Sequence, residues 1–248
     1  MNPILAFGNR AAPDTTVMPY SDALVNQPLP VLYSFRRCPF AMRARLALAA
    51  SGQHCELREI MLRSKPPELL AASAKATVPV LVVGPDGKVI EQSLEIMLWA
   101  LQRNDPEGWL APERASVQTM QALIAANDGA FKQHLDRYKY PNRYPQEHAG
   151  DVQQFSHSHR ADAACWLMTL ETQLARDAWL FGPAASLADM AILPFVRQFA
   201  HTDADWFSSQ PWPTLSTWLM RWEASARFQG VMEKYLPWQS GQTGIAFP

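Results

Sequence analysis

Val31-Leu32-Tyr33-Ser34-Phe35-Arg36-Arg37-Cys38-Pro39-Phe40-Ala41-Met42-Arg43-Ala44-Arg45-Leu46 reads as strand, turn and helix in one sweep. The apolar and aromatic run 31–35 has strand composition. Pro39 suits a first helical turn, where its missing N–H is not needed. Behind it Met42, Leu46 and Ala49 or Ala50 recur at helical spacing, with Arg43 and Arg45 turned off that face, until Ser51-Gly52 stops the helix. Working outward, residues 55–60 alternate as a second strand, and Pro66 opens a short helix to Ala72. Residues 78–83 form a strand with proline near its start. Gly84-Pro85-Asp86-Gly87 is a hairpin turn, 88–91 is the returning strand, and 93–101 is a helix carrying Leu94, Met97, Leu98 and Leu101. The order β-α-β-α-β-β-α implies a parallel pair with a right-handed crossover and an antiparallel hairpin beside it.

Asn104-Asp105-Pro106-Glu107-Gly108 breaks the pattern. Beyond it helices are expected at 112–138, 160–175, 186–199 and 213–228, with a Pro- and Gly-bearing loop at 139–150. The chain therefore divides into an arm at 1–29, an α/β domain at 30–104, an all-helical domain at 109–238 and a tail at 239–248. Of 9 Trp only Trp99 precedes the boundary, so most of the others are expected in the helical core. The formal net charge of -1 argues against phosphate-backbone binding and hence a nucleic-acid partner. Within it, 30–105 carries 10 Lys/Arg against 7 Asp/Glu, a mild basic excess that suits a small anionic ligand. No segment reads as a signal peptide or membrane span, and three cysteines make no disulfide framework, so the cytoplasm is the expected compartment.

Cys38 stands where a helix begins. Unpaired N–H groups and the positive dipole end favour thiolate there, and Arg36, Arg37 and Arg43 lie near in sequence. A reactive thiol and a buried structural one both fit this placement. Val78-Pro79 allows a cis bond presenting backbone to a ligand, or a plain edge-strand proline. Gln92-Ser93 allows a carboxylate site at a helix start, or simply an N-cap. Ser186-Leu187-Ala188-Asp189 is a capping-box-like start with a structural role. Cys55 and Cys165 are expected in the core. His157 and His159 fall on different helix faces, so no metal site is expected. Residues 136–141 mix aromatic and basic side chains; a wall of a substrate cleft or a solvated helix end suits them better than RNA stacking.

With Cys38-Pro39-Phe40, Thr77-Val78-Pro79-Val80-Leu81, Gln92-Ser93 and the 186–189 box in this order, the chain resembles the cytosolic glutathione transferase superfamily over residues 30–236. It looks most like the cysteine-type, omega-like members. The resemblance implies a thioredoxin-like domain followed by an all-helical one. It implies Cys38 as the catalytic residue, forming a mixed disulfide with glutathione as co-substrate. It further implies glutathione binding by Phe40, Lys65, Val78, the cis-proline Pro79, Gln92 and Ser93. Gln92 departs from the Glu of the omega type. Ala41 stands where a glutaredoxin has its second cysteine, so the redox cycle must be monothiol. Tyr33 and Ser34 are the weaker hydroxyl candidates of the tyrosine and serine types. The expected activity is glutathione-dependent thiol transfer; conjugation to a small electrophile and a non-catalytic binding module are the alternatives. The expected partners are glutathione, a small, apolar electrophile or disulfide in a mostly apolar pocket, and a second copy in a homodimer.

Overall fold

The computed structural model describes residues 28–148 and 150–248; the arm expected over 1–29 lies, up to residue 27, outside the described residues. The first half runs β1 (Val31–Ser34), α1 (Pro39–Ser51), β2 (Cys55–Glu59), α2 (Pro67–Ala72), β3 (Val80–Val83), β4 (Lys88–Ile90) and α3 (Ser93–Leu101). β1 lies parallel to β2, with Leu32 opposite Leu57, and antiparallel to β3, which pairs with β4 across the turn at Gly84 and Gly87. This is a mixed sheet, as the element order implies, and it is thioredoxin-like, as the resemblance implies. The proline at 79 precedes β3, so it costs the ladder no donor.

Alternation in β1 divides the two sides of the sheet. Leu32 joins the main core beneath α1 and α3, while Tyr33 joins Ile60, Leu69, Val78 and Val80 in a smaller cluster beneath α2. Gly52 in the left-handed region (φ 65°) closes α1. Arg43 and Arg45, expected to turn away from the packed face, are instead buried at 2% and 0% exposure. Each has a partner that makes burial tolerable. Arg45 donates to Ser34 Oγ (2.8 Å) and to the Val231 carbonyl (3.1 Å), and forms an ion pair with Glu59.

The helical half comprises α4 (Val117–Ala126), a π turn (Asn127–Phe131), α5 (Lys132–Lys139), α6 (Val152–Leu174), α7 (Leu187–Ala200), α8 (Ala204–Ser208), α9 (Pro213–Glu223) and α10 (Ala226–Val231). Asp151, accepting from Gln154 N at 2.8 Å, starts α6 well before residue 160. The expected helix 213–228 breaks in two because Ser225 caps α10 by accepting from Phe228 N. The Ser186 box forms, and its Asp189 does more than cap. It is fully buried and accepts from Leu180 N, Ser186 N, Ser186 Oγ and Trp218 Nε1 at 2.6 to 2.9 Å. Trp109, Trp212, Trp218 and Trp222 are core residues, as expected of the helical half. Phe40 of α1 meets Phe195 of α7 edge-on at 4.8 Å, and one apolar core runs through both halves. No described helix is long and apolar enough to cross a membrane.

Residues 239–248, expected as a tail, carry a strand. β5 (Ile245–Phe247) lies antiparallel on β2, completing the order β4-β3-β1-β2-β5. The approach is tight at Gly244, where a Cβ would fall 2.6 Å from the Leu57 carbonyl oxygen. Only glycine lets the chain enter the sheet edge there. Three residues are too short for a period to betray them.

Candidate functional site

The turn after β1 aims residue 38 back at the sheet. Cys38 takes the N-cap position of α1 (φ -78°, ψ 121°) without side-chain capping, and its N–H is held by the Phe35 carbonyl at 2.9 Å. Pro39 has no N–H, so the first free donors of the helix are those of Phe40 and Ala41, and both favour the charged form of the Cys38 sulfur. Opposite, the Val78–Pro79 bond is cis, and the Val78 carbonyl accepts from Cys38 Sγ at 3.7 Å.

A cavity of about 430 Å³ opens on this thiol. Its walls include Cys38, Phe40, Lys65, Val78, Pro79, Gln92 and Ser93, so the seven residues that the resemblance assigns to glutathione chemistry reach one space. Leu62, Ala76, Thr77 and Glu91 complete the lining. Ala76 sits at φ 50°, uncommon for a residue with a Cβ, and Glu91 is tied to Ser73 and Lys75. Gln92, not Ser93, is the cap position of α3, and its side chain makes no capping bond. Ser93 is the first helical residue, and its hydroxyl accepts from Arg43 Nε at 2.9 Å.

That bond is part of a connection of which the sequence carries no sign. Arg43 spends its two Nη groups on Asp128, at 2.8 and 2.7 Å, in a forked pair across to the π turn. Asn127, itself buried, steadies Asp128 at 2.9 Å. A π turn adds a residue to the helical repeat and re-aims the side chains around it. Nothing in Asn127-Asp128-Gly129 distinguishes that turn from ordinary helix before the partner Arg43 is known.

The electrostatics of Cys38 differ from the expectation. Burial is the largest influence and raises the thiol above the ordinary cysteine range; the Ala41 and Phe40 N–H groups, then Lys132 and Arg43, act against it. In the free chain burial therefore favours the protonated thiol. Of the three nearby arginines, Arg43 is committed to Ser93 and Asp128. Arg36 donates to the Met232 carbonyl at 3.3 Å, and Arg37 lies over the Phe35 ring. The two hydroxyl candidates are engaged elsewhere. Ser34 is buried and accepts from Arg45, and the Tyr33 hydroxyl accepts from Arg58 at 2.9 Å. Cys55 is buried, and burial pushes its thiol up to about 12. Cys165, expected in the core, is exposed on α6; its neighbour Trp166 is the residue that packs inward, 4.5 Å from Phe131.

A second cleft, of about 740 Å³, adjoins the first across Leu62 and is walled by the β1–α1 turn, α5 and α7. Lys139 and Tyr140 line it, so the basic-aromatic stretch 136–141 contributes a wall of the cleft. The lining of this cleft is mixed. Phe35, Met42 and Pro194 share the lining with Arg37, Arg63, Lys139, Arg143, Arg197 and His201. The sequence separates these side chains by up to 164 positions (Arg37 to His201), and only the fold unites them. Among the described residues, His134, His159 and Asp162 also approach one another between α5 and α6, with His134 Nδ1 and His159 Nδ1 2.8 Å apart; His157 is not of this group.

Comparison with known proteins places this geometry in a lineage. The family model for the glutathione S-transferase N-terminal domain matches residues 32–108, and that for the C-terminal domain matches 167–221, together just over half of the chain. A probable maleylacetoacetate isomerase of Caenorhabditis elegans is 28% identical over 195 residues, covering 75% of this chain and 85% of that protein. Among solved structures, a glutathione transferase family member from Pseudomonas fluorescens with two glutathione bound superposes with a TM-score of 0.70 at 18% identity, covering 83% of this chain and 92% of that one. The glutathione S-transferase of Xylella fastidiosa gives 0.70 at 19% identity, over 82% and 97%. At such identities the likeness of the structures speaks for the fold.

Proposed function

Because the chain belongs to the glutathione S-transferase superfamily, we propose that it is a cysteine-type, omega-like transferase that reduces disulfides with glutathione through Cys38. The observation that carries this reading is the Cys38 thiol at the start of α1, 3.7 Å from the Val78 carbonyl and open to a cavity large enough for a tripeptide. Glutathione lies along that cavity. The Val78 backbone pairs with its cysteinyl part beside Pro79, and Gln92, Ser93 and the free N–H groups of α3 hold the γ-glutamyl carboxylate. Lys65 reaches the glycyl carboxylate, and Phe40 closes one side.

The cycle follows from a single thiol. Cys38, once deprotonated, attacks the glutathionyl sulfur of a mixed disulfide. That S–S bond breaks, the departing thiolate takes a proton, and a Cys38–glutathione disulfide forms. A second glutathione thiolate attacks this bond, leaving as oxidised glutathione and restoring Cys38. Ala41 supplies no thiol, so glutathione itself must resolve the intermediate. The Phe40 and Ala41 N–H groups favour the thiolate against the burial that opposes it.

Cys38→Ala is expected to abolish reduction of hydroxyethyl disulfide while leaving glutathione binding in place. Full turnover in that variant would refute the mechanism. One observation favours a second reading, conjugation of glutathione to an electrophilic carbon. A thiol that keeps its proton can donate a hydrogen bond to a bound glutathione thiolate instead of attacking. An aromatic-halide conjugation assay run beside disulfide reduction separates the two. The reading extends to a homodimer in the cytoplasm, in keeping with the superfamily and with three cysteines that stand as free thiols.

A further inference from the structure

We propose that the cleft beside Cys38 selects a second substrate bearing carboxylate groups, an organic anion in place of the neutral apolar electrophile. The inference rests on the reading of Cys38 and its cavity as the glutathione site, and it names the chemistry of the other reactant. Five Arg and Lys side chains and His201 line the cleft, with no carboxylate among the lining residues. Glu223, just outside, accounts for two of the six, accepting from Arg197 Nε and meeting His201 Nε2, both at 2.8 Å. Among the described residues no salt bridge involves Arg37, Arg63, Lys139 or Arg143.

The uncompensated cations are also arranged. Arg143 stacks on the Tyr140 ring at 4.0 Å and Arg37 lies over Phe35 at 5.3 Å. Stacking fixes a guanidinium plane while leaving its N–H edge free for a carboxylate. Lys139 donates to Thr202 Oγ1 at 3.5 Å and lies over the Tyr140 ring at 5.7 Å, and burial, then Arg197 and Arg37, make its charge harder to hold. A neutral ligand filling this space would strip water from four cations and return nothing, whereas carboxylates replace that water with charge-assisted bonds. Arg37 precedes Cys38 directly, and Leu62 belongs to both cavities, so an anion seated here adjoins the cavity onto which the thiol opens.

The test uses two disulfides of similar length, the dianion dithiodipropionate and the neutral hydroxyethyl disulfide. In either case one substrate S–S bond is broken and one is made in oxidised glutathione, with two glutathione thiols supplying the electrons and protons. The dianion is expected to show a kcat/KM about tenfold higher at low salt, the equivalent of one charge-assisted hydrogen bond, and the advantage should shrink as salt is added. Arg37→Gln with Arg143→Gln, and separately Lys139→Met, should bring the ratio of the two kcat/KM values towards one. Equal use of the two disulfides by the unaltered enzyme, or a ratio that the variants leave unchanged, would overturn the proposal. Calorimetry with suberate and octanediol, isosteres without a disulfide, reads the same preference without any thiol chemistry. Suberate binding that the variants weaken supports the anion site even if neither disulfide is turned over, which would count against the Cys38 mechanism alone. No preference for suberate counts against the anion site.

Discussion

Asp128→Ala tests the link between the helical half and the glutathione cavity. The substitution removes the acceptor of both Arg43 Nη groups, leaving a guanidinium that is 2% exposed without its counter-charge. Breaking a wholly buried pair costs about 3–5 kcal/mol, and an exposed one about 0–1 kcal/mol. Asp128 is 29% exposed, so water can reach the space it leaves, and about 2 kcal/mol is the expected loss. For a chain of this size that lowers the thermal midpoint by about 4–8 °C. A second effect reports on the site itself. Arg43 also holds the Ser93 hydroxyl at 2.9 Å, and a loosened Arg43 should weaken glutathione by about fivefold, the worth of one neutral hydrogen bond. Asp128→Asn, which keeps one acceptor, should fall between the variant and the unaltered chain in both respects. Circular dichroism melting and glutathione calorimetry read the two quantities. An unchanged midpoint would refute the clamp; a lowered midpoint with unchanged glutathione affinity would refute its coupling to Ser93.

Other perturbations probe separate parts of the account. Asp189→Ala strands four buried donors, including Trp218 Nε1, and is expected to cost upwards of about 4 kcal/mol in urea unfolding; a loss under about 1 kcal/mol would contradict that network. A coloured disulfide reagent should modify Cys165 quickly, Cys38 slowly and Cys55 only in denaturant, following their exposure. Because burial raises the Cys38 thiol, its thiolate fraction is small at neutral pH and grows as pH rises, so its alkylation should accelerate through the alkaline range. A rate already maximal at pH 7 would contradict the sign. Gly244→Ala forces a Cβ towards the Leu57 carbonyl and should release β5, read as faster hydrogen exchange at Ile245–Phe247 and along β2; unchanged protection there would mean the edge accommodates the methyl.

What the sequence conveyed was what local chemistry encodes. The β1–α1–β2 unit, the 84–87 turn and the α3 start announce themselves through proline, glycine and periodicity, and the seven candidate site residues converge because these elements lie side by side in a thioredoxin-like sheet. Properties set by distant partners were hidden. Arg43 and Arg45 looked like surface cations because Asp128 and Glu59, which make their burial tolerable, lie elsewhere in the chain. Cys38 looked activated because the helix start is visible in sequence and the burial that outweighs it is not. The cationic share of the second cleft was hidden because its cations come from four separate segments. β5 was invisible because its only signature is a glycine where a backbone must pass closely.

The central claim is that Cys38 is the atom that exchanges with glutathione. A crystal structure of the chain prepared with oxidised glutathione tests it most directly. The account predicts continuous density at a disulfide distance of about 2.05 Å between Cys38 Sγ and the glutathione sulfur, with the γ-glutamyl end at Gln92 and Ser93. Glutathione bound with its sulfur turned away from Cys38, or joined to Cys165 instead, would contradict it.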